Sequence, residues 1–121
     1  MTLNALLLSD DLLFTSRIIG TARALGLEMK SARGTAELLA LAVTSAPPCV
    51  LLDLQNPGLD IAALVRDLKS AGKPTIIGYG SHVDTATLKA ARDAGCDVVL
   101  PRSKFVEDLA TALPQWMQKS V

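Results

Sequence analysis

The chain has 121 residues, enough for one domain with a substantial core, and half of them are apolar. Only 3% are aromatic, so that core must be built from Leu, Ala, Val and Ile. Its 12 basic residues balance 12 acidic ones, which leaves no electrostatic case for a nucleic-acid or anionic-membrane partner. Charges or prolines interrupt every apolar stretch well before the roughly 20 residues that a membrane helix needs. The opening Met1-Thr2-Leu3-Asn4 carries no basic segment of a secretory signal, so a cytoplasmic protein is expected.

Short apolar runs alternate with longer amphipathic segments, the signature of repeated βα units around a parallel sheet. The first strand is predicted at 5–9, and the helix after it carries Phe14, Ile18, Ala22 and Leu25 at helical spacing up to Gly26. A second strand at 27–32 carries Glu28 and Lys30, a pattern suited to a sheet edge. The second helix starts near Thr35, turns Leu38, Leu41 and Ala42 inward, and is stopped by Pro47-Pro48. The third strand, at 49–52, is closed by Asp53. Asp60 is the expected N-cap of the next helix, with Ile61, Leu64, Val65 and Leu68 as its stripe and Gly72 as its C-cap.

A fourth strand at 75–79 precedes a helix capped by Asp84 and ended by Gly95, whose inward face of Leu88, Ala91 and Ala94 offers little apolar area. The fifth strand falls at 97–100. Ser103 is the expected cap of a last helix bearing Phe105, Leu109, Ala112 and Leu113, which Pro114 should end or kink. Cys49 and Cys96 each lie beside a strand start without metal-ligand spacing, so two reduced, buried thiols are expected.

The carboxyl edge of a parallel sheet is where α/β proteins place ligands, and Asp53 stands there. Asp10 and Asp11 follow the first strand. Three acids from two strand ends suit a hard cation, and an Asp among them can serve as a nucleophile toward a phosphoryl group. The bland alternatives are an Asp pair that caps the following helix and an Asp53 that only shapes a turn.

Five βα units, the acid pair after the first strand and the Asp ending the third together resemble the receiver domain of two-component response regulators. The most specific stretch is Leu52-Asp53-Leu54-Gln55-Asn56-Pro57-Gly58-Leu59-Asp60, and the likeness spans 1–121 as a single receiver-like domain. It implies a flavodoxin-like (βα)5 doubly wound sheet of order 2-1-3-4-5. It also implies Asp53 as phosphoacceptor for a histidine kinase, and weak magnesium binding by Asp10, Asp11, Asp53 and the main-chain carbonyl of Gln55.

Four positions depart from the receiver pattern. Gly80 stands where receivers carry Thr or Ser, with Ser81 one place later. Arg102 takes the usual Lys position, with Lys104 as the alternative if the loop is shifted, and Ser103 takes the place of the following Pro. Val99 replaces the aromatic switch of the fifth strand. Tyr79 reads as a partly buried packing residue and His82 as a solvated loop residue. With the phosphate-sensing positions altered and the acids retained, the resemblance is to atypical or pseudo-receivers.

The implied role is that of a signalling module rather than an enzyme. It would act on a histidine kinase or another signalling protein through the face of its fourth helix, fifth strand and fifth helix, with a homodimer left open. Alternatives are a constitutive scaffold that is never phosphorylated and a small-ligand module using a crevice opened by Gly78 and Gly80. A phosphatase-like enzyme using Asp53 ranks last, because Gln55 stands where a second acid is expected.

Overall fold

The computed structural model describes residues 4–118, so Met1 to Leu3, part of the segment read for a secretory signal, lie outside it. Five strands alternate with five helices: β1 Asn4–Leu8, α1 Leu12–Ala24, β2 Glu28–Ala32, α2 Thr35–Ser45, β3 Cys49–Asp53, α3 Ile61–Ser70, β4 Thr75–Gly80, α4 Thr85–Ala94, β5 Val98–Pro101 and α5 Arg102–Trp116. All pairings are parallel and the sheet order is β2-β1-β3-β4-β5, the doubly wound arrangement expected from the βα alternation. The charged strand β2 is at an edge, as its composition requires. β3 is buried at every position and lies at the centre.

Side chains alternate between the two faces of a strand, and this divides the core in two. Leu6, Leu8, Val50, Leu52 and Ile76 meet the helices α2, α3 and α4 through Leu38, Ala42, Leu64, Leu68 and Leu88. Ala5, Leu7, Cys49, Leu51, Ile77 and Tyr79 meet α1 and α5 through Ile18, Ala22, Phe105, Leu109 and Leu113. The same alternation decides which residues share a side with Asp53.

Local signals end several helices as expected. Asp60 and Asp84 accept hydrogen bonds from the amides of Ala63 and Thr87, and Gly95 closes α4 in the left-handed region at φ +106°. Gly72 follows the C-cap of α3, which is Ala71. Ser103 is not the cap of α5. β5 runs straight into that helix, Pro101 is its N-cap, and Ser103 is its second residue. Pro114 does not end α5 either. Proline there deprives the Ala110 carbonyl of its partner, but Ala110 is exposed to water, and the last turn is held by Trp116 stacking on Phe105 at 6.0 Å.

Both thiols are free. Cys49 is fully buried but Cys96 is only half-buried, lying in the connection between α4 and the edge strand β5. Burial pushes the Cys49 thiol up to about 12 and the Cys96 thiol up to about 11, the latter helped by Asp97. Among the described residues no helix is long and apolar enough to cross a membrane.

Candidate functional site at the carboxyl edge of the sheet

Asp53, the last residue of the central strand, is a carboxylate held at 3% exposure. Its Oδ2 accepts a 2.8 Å hydrogen bond from the Ser9 hydroxyl and its Oδ1 accepts one of 3.0 Å from the Gln55 amide. Donors on both oxygens fix the orientation of the buried carboxylate. Its carbonyl accepts from the Asn56 amide, which closes the turn into the β3–α3 loop. Asn56 in turn donates from Nδ2 to the Arg33 carbonyl and ties this loop to the one before α2.

The acids expected to converge do so only in part. Just past β1, Ser9 continues the Ala5, Leu7 alternation onto the face of Asp53, while Asp10 is exposed. Asp11 is the N-cap of α1, its Oδ1 accepting from the Phe14 amide at 3.0 Å. Its other oxygen faces Arg102, whose Nη2 lies 3.5 Å from Asp11 Oδ2 and 4.0 Å from Asp53 Oδ2. The Arg102 guanidinium also sits over the Phe14 ring, 4.3 Å from its centroid. Among the described residues no three His, Cys, Asp or Glu side chains are grouped to hold a metal ion. Two hard carboxylate oxygens are nevertheless aimed at one cation, here a guanidinium. That donor set also suits magnesium, which uses one or two carboxylates and keeps several waters.

Two sequence expectations about β4 need correction. Gly80 does not face Asp53: a Cβ built on it would meet Leu54 Cβ and Leu88 Cδ2 at 3.5 Å, on the α4 side of the sheet. The β4 residue on the Asp53 side is Tyr79, its register partner, and it is fully buried rather than partly so. Its ring stacks on Phe105 at 4.4 Å and meets Phe14 at 5.3 Å. Its hydroxyl has no hydrogen-bond partner among the described residues. Burial first and the Asp53 carboxylate second push the Tyr79 phenol well above its ordinary range. A hydroxyl is therefore present at the end of β4, but it is phenolic.

No crevice opens over Gly78 and Gly80, because Leu54, itself buried, fills that space; a Cβ on Gly78 would come within 3.1 Å of Leu54 Cδ2. Ser81 is a turn residue, its Oγ accepting from the Val83 amide at 3.4 Å and its carbonyl from the Asp84 amide at 3.1 Å. His82 is exposed in the same loop. The Gln55 side chain reaches Asp84 at 3.3 Å, a contact that, after those from Thr87, holds the Asp84 carboxyl below its usual range. Lys104 pairs along α5 with Asp108 at 3.2 Å and is not engaged at Asp53, so Arg102 is the basic residue of the site. Val99 packs in the α2–α4 half of the core. Sequence reasoning missed Ser9, whose signal was its place one residue before the acid pair, and Tyr79 as a polar member of the site.

No description of a known protein family matches the sequence, and no curated protein matches it. Solved structures do match. The receiver domain of NtrX from Brucella abortus superposes with a TM-score of 0.83 at 21% identity, over 96% of this chain and 99% of that one. The receiver domain of a sensor histidine kinase from Pseudomonas aeruginosa, solved with a magnesium ion in its active-site cleft, gives 0.82 at 19% over 97% and 98%. A Saccharomyces cerevisiae response-regulator receiver domain, solved with a histidine phosphotransfer signalling protein, gives 0.79 at 19% over 96% and 89%. The chain has the fold of response-regulator receiver domains.

Proposed function

We propose that the chain is an atypical receiver module of two-component signalling that works by contact with another signalling protein, catalyses no reaction of its own, and has Asp53 as its phosphoacceptor. The observation that carries this reading is the setting of Asp53. It is buried at the carboxyl edge, oriented by Ser9 and the Gln55 amide, and faces a cation shared with Asp11. Asp11, Asp53 and the Gln55 carbonyl would hold a magnesium ion, which when bound neutralises charge on an incoming phosphoryl group. The magnesium ion of the Pseudomonas receiver and the phosphotransfer partner of the yeast one support the reading.

The atypical character lies in what surrounds Asp53. Arg102 supplies positive charge as a planar fork in place of an ammonium, and its contacts to Asp11 and Asp53 make it a competitor for any metal there. The hydroxyl at the end of β4 belongs to a ring wedged between Phe14 and Phe105, so it cannot swing as a small side chain does. Val99 offers no aromatic switch on β5.

Amide NMR spectra with magnesium, then with magnesium and beryllofluoride, test the proposal. Shifts centred on Asp53, Tyr79 and Arg102 that vanish in Asp53→Asn are expected. A wild-type spectrum silent to both additions would overturn phosphoacceptance and leave a constitutive scaffold.

A further inference from the structure

Beside the acidic pocket, on the α1–α5 side of the sheet, lies a cleft of about 750 Å³. Phe14 and Arg17, one turn apart on α1, form one wall, and Arg102, Ser103 and Val106 on the opening turns of α5 form the other. Ser81 and its neighbours in the loops after β3 and β4 complete the rim. No carboxylate is among the lining residues, although the chain as a whole is electrically balanced. The cleft therefore concentrates two guanidinium groups, of which only Arg102 is near acids, the Asp11 and Asp53 carboxylates of the adjoining pocket.

Neither guanidinium is saturated. Arg17 makes no ion pair among the described residues, and Arg102 meets its two acids at 3.5 and 4.0 Å. Those distances are longer than the roughly 2.7–2.9 Å of a direct charge-assisted hydrogen bond, so donors on Arg102 remain for a better acceptor. Two hydroxyls, Ser81 and Ser103, lie within the same lining. The start of α5 adds to this charge, since its N-cap is Pro101 and no side chain among the described residues caps its first-turn amides. Phe14 and Val106 give the cleft apolar surface, and its volume falls in the roughly 300–1,000 Å³ range of small-molecule sites, far larger than a bare oxyanion needs.

We propose that this cleft binds a small organic phosphate, its anionic group held by Arg17, Arg102 and Ser103 and its carbon skeleton lying on Phe14 and Val106. The cleft shares Arg102 with the acidic pocket, but binding there does not depend on Asp53 accepting a phosphoryl group. An anion there competes with Asp11 and Asp53 for Arg102.

Calorimetric titration of the full chain in chelator, with adenosine monophosphate, adenosine and inorganic phosphate as probes, tests the assignment. Saturable binding of adenosine monophosphate is expected, about tenfold or more tighter than inorganic phosphate, with no binding of adenosine. Arg17 is exposed on α1, so Arg17→Gln should fold and weaken that binding by about tenfold or more. Asp53→Asn removes a competitor for Arg102 and should bind adenosine monophosphate as tightly as wild type or more so. Absence of saturable binding, equal binding of adenosine or of inorganic phosphate, or wild-type affinity in Arg17→Gln would overturn the proposal. Loss of binding in Asp53→Asn would overturn it too, because removing a competing carboxylate cannot weaken an anion held by Arg17 and Arg102.

Discussion

Tyr79→Phe removes one atom, Oη, from the best-packed ring of the site and leaves its stacking on Phe105 at 4.4 Å and its contact with Phe14 untouched. The hydroxyl is fully buried and has no hydrogen-bond partner among the described residues. A buried polar group without a hydrogen bond costs about 1–3 kcal/mol, part of which the fold recovers when the atom is replaced by hydrogen. Proximity to the Asp53 carboxylate works in the same direction, since a phenol oxygen beside a negative charge is disfavoured unless its proton points at it. The expected result is a stability gain of about 0.5–1 kcal/mol, a rise in Tm of about 2–6 °C for a chain of this size. Urea unfolding at neutral pH in chelator, with thermal melts beside it, measures both quantities. A loss above about 1 kcal/mol would show that the hydroxyl donates to Ser9 or Asp53 in solution and would refute the picture of an orphaned group.

Asp53→Asn should change stability by no more than about 1 kcal/mol in chelator: the Gln55 amide keeps an oxygen acceptor, and the Arg102 contact is long with a partner 44% exposed. A loss of about 3 kcal/mol or more by denaturant titration would mean instead that Asp53 and Arg102 form a buried structural ion pair. Alkaline pH should destabilise the fold. Cys49, Cys96 and Tyr79 all have folded pKa values raised above their unfolded ones, so the folded state holds protons that the unfolded state releases. Their contribution is whole below about pH 9 and is lost as pH rises toward about 11–12, where the two thiols titrate in the fold. Urea midpoints measured from pH 7 to 10.5 should fall above about pH 9, and Cys49→Ala should flatten part of that fall; a midpoint independent of pH would contradict it.

The sequence alone determined the order and type of the elements, because these rest on short-range physics. Apolar runs closed by turn residues make strands, and Asp60, Asp84 and Gly95 satisfy helix ends within three or four residues of themselves. It also placed Asp53 at the carboxyl edge of the central strand and β2 at a sheet edge. The tertiary structure decided which neighbours Asp53 has, since those come from strand ends 26–44 residues away in the chain and from the first turn of α5, 49 residues on. Ser9 takes a place beside Asp53 by continuing the Ala5, Leu7 alternation, and Asp10, the next residue, is exposed, because successive side chains point to opposite faces. The same alternation gives β4's place beside Asp53 to Tyr79 and turns Gly80 toward Leu54. Only packing could show that Leu54 fills the space over the glycines, that Pro114 is tolerated where the carbonyl it orphans meets water, and that Arg17 and Arg102 border one cleft from two different helices. Periodicity is a property of one segment, whereas a site at the edge of a sheet is set by the relative ends of several.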